Sequence, residues 1–529
     1  MNKYIKNIGK IFSGTFISRI TGLIREIITA RIFGTDKVAD AIQMALTFPN
    51  LLRQVLGEDM VERAFMPPFK LKYSEDKNTG WKFVSSVFNI FTIILLFATL
   101  IMYLIIPLIF KLGREYPDKL NFIFGSGSFD YDLTLNLTLV MMPFMIIIGL
   151  AAFTGGILNF LERNWIFGFA PVSLNIGIIL SIVLFEEKIG GYSLAIGWLF
   201  GGILQFLIQL PTFFSKKFKD ETEFRFSFNL KGIEEEDKKI ISKQAFYITL
   251  SSVFNKSSEL INKILALNLL TGSISSITYA TRFYQLPHGI ISLSIARGIV
   301  PELATVKSNE LVKFNSIYSK GIMLFFFILL PVTIFFSFSS YEIVSIFYKG
   351  QKFDEHSVIM TTNALAFFSL SILPLGLYGF FIRVFSILNK NLTSLWISII
   401  GSLINILFSI ILVNVFNFDH TGIALATVIS TISNVLLGYF MIRKNGISIN
   451  NKEFKKIIKI FFFMLPLLLF VIYLTFFPKN YNYFYQYQIY FGIFIKMAVV
   501  AIPLCILIFT DKTLRTLFLG VLRKGKKNG

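Results

Sequence analysis

About fourteen segments of this chain are apolar and long enough to cross a lipid bilayer. A spanning segment must satisfy its own backbone hydrogen bonds, so a chain with many such segments folds as a bundle of helices. Only 16% of the residues are charged, against about 25% in soluble domains. We therefore predict an all-α polytopic membrane protein. The spans are expected near 11–33, 38–57, 84–110, 133–158, 166–185, 192–214, 244–270, 275–296, 321–347, 360–388, 394–416, 421–442, 460–477 and 485–510.

The distribution of positive charge predicts the orientation of these spans. Lysine and arginine collect in alternate loops, and the loops expected to be cytoplasmic hold more than four times as many as the outer loops. Both termini are therefore expected in the cytoplasm. The net charge of +20 reflects this topology, and we predict no nucleic-acid partner. The basic residues 1–10 precede an apolar stretch without a small-residue cleavage site, so we expect a retained first helix.

A weak internal repeat divides the chain into two halves. Spans one, two, seven and eight are more polar than the others, and spans two and eight contain Pro49 and Pro287. Interrupted spans at corresponding places in two halves indicate a transport site at the repeat interface. We predict a six-helix lobe over 1–214, a cytoplasmic linker over 215–243, a second six-helix lobe over 244–443, and two further helices with a basic tail over 444–529.

Among the arginines inside the predicted spans, four point to a binding site. An arginine that faces lipid at mid-bilayer costs roughly 2.5–3.5 kcal/mol on insertion scales, so these residues are expected to face a polar interior. A guanidinium group matches phosphate oxygens with two parallel hydrogen bonds, which favours an anionic cargo such as a pyrophosphate. The candidate binding residues are Arg19, Arg25, Arg53 and Arg282.

Other residues in the polar spans are expected to support this set. Asp40 is the expected partner of an arginine from span one. Pro49 is expected to kink span two beside Asn50, and Gly22 to let span one bend or let a neighbour approach closely.

Several charged residues have two interpretations. The pair Arg25–Glu26 could instead form contacts between helices or lie at the membrane interface, and the same holds for Arg31. Lys256 and Lys263 on span seven face either the cationic cavity or lipid.

Signatures of enzymes are scarce. The chain has one cysteine, Cys505, and three widely separated histidines, so no metal site is predicted. There is no Walker A sequence, which argues against ATP hydrolysis. Residues 130–132 spell D-x-D, but they fall in an expected outer loop, where nucleotide sugars are absent. We predict a protein that is not an enzyme and has no cofactor, driven by a coupling ion, the membrane potential or consumption of its cargo.

The densest group of motifs lies in the first 70 residues. It comprises SRITGLIRE at 18–26, ARIFG at 30–34, ADA at 39–41, FPNLLR at 48–53 and AFMP at 64–67. These stretches closely resemble the MurJ (MviN) lipid II flippase family, within the multidrug/oligosaccharidyl-lipid/polysaccharide (MOP) exporter superfamily. The likeness recurs at YATR, residues 279–282, and at Pro301.

The resemblance implies a function in peptidoglycan biosynthesis, and hence in cell shape. Members move lipid II, the undecaprenyl-diphosphate-linked precursor, from the inner to the outer leaflet of the bacterial cytoplasmic membrane. Lipid II and membrane lipids are the implied partners, cell-wall synthesis proteins are further candidates, and we expect a monomer. The last two helices are expected to form a groove for the prenyl tail.

The resemblance also assigns residues. The family's cavity arginines fall on the same four arginines, and its polar partners fall on Asp40, Asn50 and Glu58. The full supporting set, polar or hinge-forming, is Ser18, Gly22, Asp40, Pro49, Asn50, Glu58 and Gln285.

The sequence departs from the family pattern in three places. Asp59 and Met60 follow Glu58, where the family usually has Gly-Ala. Thr281 and Gln285 stand where the family often has acids, which leaves the site more electropositive. Asn405 and Ser409 fall where some members bind sodium, but a carboxylate is missing, so no ion site is assigned.

Alternative functions remain open. A flippase for another lipid-linked oligosaccharide would share the cationic cavity. A membrane scaffold that recruits cell-wall enzymes without transport would not need the four arginines. An exporter of cationic drugs would want carboxylates in its cavity, and a membrane glycosyltransferase would need a carboxylate pair on one face. The sequence offers neither of these.

Overall fold

The computed structural model describes residues 2–53, 60–115, 130–230, 232–306, 310–476, 496–497 and 499–501. Within these ranges the chain forms helices and no β-strand, with one isolated β-bridge between Gly350 and Phe353. This confirms the predicted all-α fold.

Seven helical segments of the described residues are long and apolar enough to cross a membrane. Two consecutive helices, Glu355–Ser369 and Ile372–Ile387, bend by 44° and give an eighth span if they act as one. A multi-pass membrane protein is thereby confirmed. In their described residues, the four spans expected to be more polar form helices, but they fall outside this apolar set. Most of the last span lies outside the described residues. The number fourteen stays a prediction.

The first of two compact units comprises Met1–Ile274. A π-helical turn, Val61–Phe65, immediately precedes its fourth α-helix. The α-helices of this unit are α1 (Asn2–Phe33), α2 (Lys37–Ala45), α3 (Thr47–Leu52), α4 (Met66–Glu75), α5 (Lys77–Glu115), α6 (Tyr131–Met141), α7 (Phe144–Phe160), α8 (Asn164–Ile189), α9 (Tyr192–Leu207), α10 (Leu210–Phe214), α11 (Lys216–Thr222) and α12 (Glu235–Ala266).

Aromatic side chains form much of the core of this unit. Phe65, Phe91 and Phe153 lie within 6.0 Å of one another, centroid to centroid, where α5 and α7 meet the π-helical turn. Trp81 is fully buried, and its Nε1 donates to the carbonyl of Thr222 at 2.7 Å. Because a buried indole N–H needs an acceptor, this bond fixes the end of α11 against the start of α5.

Two glycines allow α8 and α9 to cross closely. A Cβ at Gly177 would lie 2.5 Å from the Cα of Gly201, and a Cβ at Gly201 would lie 2.4 Å from the carbonyl oxygen of Leu174. No side chain fits at either position, as is usual where membrane helices meet through small residues. The crossing fixes the part of α8 that faces α1.

The predicted linker, 215–243, is bound to the first unit along much of its length. Lys72 on α4 pairs with Asp237 at 2.9 Å and Glu234 at 3.4 Å. The hydrogen bond to Asp237 raises the pKa of Lys72 above its ordinary value, so this ammonium stays charged at neutral pH. Arg163, before α8, also pairs with Glu221 on α11. These ion pairs hold the linker against the first unit.

The second unit comprises Ser275–Gly529, and its first helix spans the division. A π-helical turn, His288–Ser292, follows that helix directly. The α-helices are α13 (Ser273–Pro287), α14 (Leu293–Ala304), α15 (Leu311–Phe338), α16 (Ser340–Tyr348), α17 (Glu355–Ser369), α18 (Ile372–Ile387), α19 (Asn391–Asn414), α20 (Asp419–Arg443) and α21 (Asn451–Phe476).

A buried ion pair ties the described part of the last predicted span to the second unit. Lys496 Nζ lies 2.6 Å from Glu342 Oε1 on α16, and it donates to the carbonyl of Phe338 at 2.9 Å. It also lies 4.6 Å from the centroid of the Phe338 ring. At this point the span packs against protein.

Candidate functional site

Arg25 is held in place by three different interactions. Its Nη1 donates to Asn175 Oδ1 at 3.0 Å, and its Nη2 lies 2.5 Å from Glu26 Oε1. The guanidinium carbon lies 5.0 Å from the centroid of the Trp198 ring. These contacts join α1 to α8 and α9, so Arg25 does form interhelical contacts. They use two of the five N–H donors that a guanidinium group carries.

Asn175 is the residue that sequence reasoning missed. Besides accepting from Arg25, its Nδ2 donates to the carbonyl of Ser18 at 3.2 Å and to Thr21 Oγ1 at 3.1 Å. One buried amide therefore contacts α1 at three points. A lone asparagine in an apolar helix gives no motif, and its partners are about 150 residues away in sequence. The one available signal is physical: a buried amide without hydrogen-bond partners is costly, so an asparagine in an apolar helix indicates that partners exist.

The two supporting residues on α1, Ser18 and Gly22, lie next to this amide. Ser18 is half-buried, and its carbonyl accepts the bond from Asn175. The candidate binding residue Arg19 is also half-buried. A Cβ at Gly22 would lie 3.6 Å from Asn175 Nδ2, an ordinary contact distance. The helix runs without interruption from Asn2 to Phe33, so the predicted hinge at Gly22 is not needed for this conformation.

Span two is broken as expected from its proline. Helix α2 ends at Ala45 and α3 begins at Thr47, so the two meet at Leu46, within the four residues that precede Pro49. Proline cannot donate a backbone hydrogen bond to the residue four positions before it. Asn50 and Arg53 follow the break and are both half-buried. Glu58 lies outside the described residues.

Lys263 reaches this break from α12. Its ammonium donates to Thr47 Oγ1 at 2.9 Å and to the carbonyl of Gln43 at 3.3 Å. The sequence left open which way the Lys263 side chain points. In the structure its ammonium lies against α2 and α3, inside the first unit. Lys256, two turns earlier, lies 3.4 Å from Glu259 on its own helix instead.

Asp40 connects the start of α2 to the loop after α12. Its Oδ2 accepts from the backbone N–H of Gly272 at 2.7 Å. Gly272 has φ of +92°, and a Cβ there would lie 2.4 Å from the carbonyl oxygen of Thr35. Only glycine fits this position. The carboxylate that the sequence predicts to pair with an arginine therefore accepts a hydrogen bond from the backbone of this loop.

Arg282 lies on α13 in the second unit and is half-buried. The tyrosines near it in sequence pack with other rings: Tyr279 lies 5.3 Å from Tyr348, and Tyr284 stacks on Phe368 at 5.2 Å. Both are buried, so their rings are engaged in packing. Gln285 is exposed on the same helix.

Spans two and eight share one further feature. A π-helical turn, Val61–Phe65, follows span two in the first unit. Another, His288–Ser292, interrupts span eight in the second unit. Such turns are rare and often lie at functional sites. The feature agrees with the weak repeat that the prolines suggested.

The expected remnants of an ion site lie on α19. Asn405 is buried and donates through Nδ2 to Thr427 Oγ1 at 3.2 Å, and Ser409 is fully buried one turn later. Among the described residues, no group of three His, Cys, Asp or Glu side chains is placed to bind a metal ion.

The sequence model of the family described as lipid II flippase MurJ matches residues 29–494. The chain is 30% identical to a probable lipid II flippase MurJ of Borreliella burgdorferi over 85% of each chain.

Solved structures give the same result for the fold. The chain superposes with a TM-score of 0.76 on a structure titled lipid II flippase MurJ, inward closed conformation, at 27% identity, covering 96% of this chain and 99% of that one. A multidrug resistance MATE family transporter of the MOP superfamily gives a TM-score of 0.67 at 16% identity, covering 80% and 94%. That second likeness concerns the fold alone.

Proposed function

The chain belongs to the lipid II flippase MurJ family of the MOP superfamily, and we propose that it moves lipid II from the inner to the outer leaflet of the cytoplasmic membrane. The family and the fold are those of a transporter, not of an enzyme. The observation that supports the proposal best is the family match over 29–494, joined to the arginines within the spans.

We propose that Arg19, Arg25 and Arg53, with Arg282 of the second unit, bind the diphosphate and the sugar next to it. Charge-assisted hydrogen bonds from planar guanidinium groups suit the oxygens of a diphosphate. Asn175 and Glu26 would keep the Arg25 fork in one orientation, which lowers the entropy lost when the anion binds. The same contacts leave donors of Arg25 for the cargo.

Transport would follow alternating access, in which the cationic cavity opens first to one side of the membrane and then to the other. The prenyl tail would stay in lipid beside the last two predicted helices. We expect both termini in the cytoplasm. An extra positive charge that moves inward gains about 2.3 kcal/mol per 100 mV of membrane potential. The potential or a coupling ion would therefore supply the energy. We expect a monomer, with cell-wall synthesis proteins as further partners.

Purified protein in liposomes tests the cargo. With lipid II bearing a fluorophore on its peptide, we expect the protein to expose inner-leaflet lipid II to a membrane-impermeant quencher faster than protein-free liposomes do. An undecaprenyl-diphosphate oligosaccharide of a different sugar serves as the competing cargo. Faster transport of that cargo than of lipid II would favour the other-oligosaccharide flippase, and no transport of either would favour the scaffold.

A further inference from the structure

An extended stretch of the linker, residues 224–230, lies along the first turns of α5 and is called here the aromatic strap. Asn89 Nδ2 donates to the carbonyl of Ser227 at 3.0 Å and to that of Asn229 at 3.3 Å. The N–H of Ser227 donates to Ser85 Oγ at 3.4 Å. Just past the strap, the N–H of Gly232 donates to Ser86 Oγ at 3.1 Å. These bonds fix the strap in register on the helix.

The strap alternates apolar and polar residues, and its apolar side chains are exposed from Phe226 onward. Phe224 packs on Trp81 at 4.8 Å, and Phe226 packs on Phe88 at 5.7 Å. Phe228 touches Phe226 at 5.1 Å but is 91% exposed, and Leu230 is 48% exposed. Single exposed apolar side chains are common on protein surfaces. A row of them on a fixed backbone instead indicates a binding surface.

The strap ends where the apolar surface of α5 begins. Asn89, which holds Ser227 and Asn229, is four residues before Ile93, the first large apolar side chain of α5 that is exposed. One helical turn is about 5.4 Å, so the two side chains lie on the same face of α5, about one turn apart along its axis. From Ile93 the exposed face continues through Leu96, Phe97 and Leu100. The exposed side chains of the strap are thus continuous with the face of α5 that a bilayer covers.

We propose that the aromatic strap inserts into the headgroup region of the bilayer, with Phe226, Phe228 and Leu230 in contact with lipid. Phenylalanine and leucine side chains bury readily in this interface, and Arg225, which is exposed next to Phe226, can reach lipid phosphate. Interfacial elements bury their apolar side about 5–10 Å into the boundary, which agrees with the offset between the strap and Ile93. The strap would fix the depth of α5 in the membrane. Its assignment to the cytoplasmic leaflet rests on the proposed orientation.

Spin labels test the position of the strap without reference to transport. Cys505 is the single cysteine, so Cys505→Ser gives a background in which Phe228→Cys can be labelled alone. The full chain is placed in liposomes of phosphatidylcholine and phosphatidylglycerol. Collision rates of the label with oxygen and with a water-soluble nickel chelate are then measured. Asp220→Cys, at an exposed position on α11, is the matched control.

A label at 228 is expected to collide severalfold more with oxygen than the label at 220 does, and severalfold less with the nickel chelate. Equal nickel accessibility at 228 and 220 would overturn the proposal and would leave the strap as a docking surface for a protein in the aqueous phase. Because both readings report depth alone, neither depends on whether lipid II is the cargo.

Discussion

Replacing Arg53 with alanine is expected to lower lipid II binding and transport roughly 100-fold, because about 3 kcal/mol is lost with one or two charge-assisted hydrogen bonds to the diphosphate. Arg53 follows the break between α2 and α3 and is half-buried, so its removal should affect binding more than folding. The measurement is the quencher assay in liposomes, at matched amounts of protein.

Two further variants make this prediction specific. Arg53→Lys keeps the charge but loses the planar fork, so an intermediate loss is expected. Arg443→Ala removes an exposed arginine at the end of α20 and should leave transport near that of the parent protein. If Arg53→Ala and Arg443→Ala behave alike, Arg53 does not bind the cargo.

Replacing Lys496 with alanine is expected to destabilise the second unit by about 3–5 kcal/mol. The side chains of Lys496 and Glu342 are 8% and 1% exposed, so the variant would leave a carboxylate buried without its ammonium. Removing both charges, with Lys496→Met and Glu342→Gln together, should recover most of the loss, because neutral groups in the same volume carry no such desolvation cost. Thermal unfolding in detergent measures all three proteins.

The exposed pair Lys349–Glu355 is a matched control. Its atoms lie 2.6 Å apart, the same distance as in the buried pair, but its side chains are 46% and 48% exposed. Solvent screening limits such a pair to about 0–1 kcal/mol, so Lys349→Ala should change stability little. Equal losses from Lys349→Ala and Lys496→Ala would mean that burial does not govern the strength of the ion pair.

The sequence predicts the all-α class and the position of the breaks, because these depend on local chemistry. Apolar length gives the spans, and Pro49 gives the break between α2 and α3. Helices α1 and α12 fall outside the set of helices apolar enough to cross a membrane, and they belong to spans that the sequence predicts to be more polar than the others. Such spans are harder to recognise, because their polar residues lower the mean hydropathy by which a span is identified.

The contacts of the site depend on partners far apart in sequence, and these could not be predicted. Asn175 meets Arg25 across 150 residues, and Lys496 meets Glu342 across 154. A charge in an apolar stretch signals that some partner exists, but nothing local identifies it. The bonds that hold residues 224–230 on α5 likewise join Asn89 and Ser85 to residues about 140 positions further along the chain.

The leaflet in which lipid II lies after acute depletion of the protein tests most directly whether this chain moves lipid II across the membrane. An enzyme that cleaves the precursor only in the outer leaflet is added to intact spheroplasts. We predict that cleavable lipid II falls while total lipid II rises, and that the parent protein restores it while Arg53→Ala does not. Unchanged cleavable lipid II, in cells without another lipid II flippase, would contradict the claim.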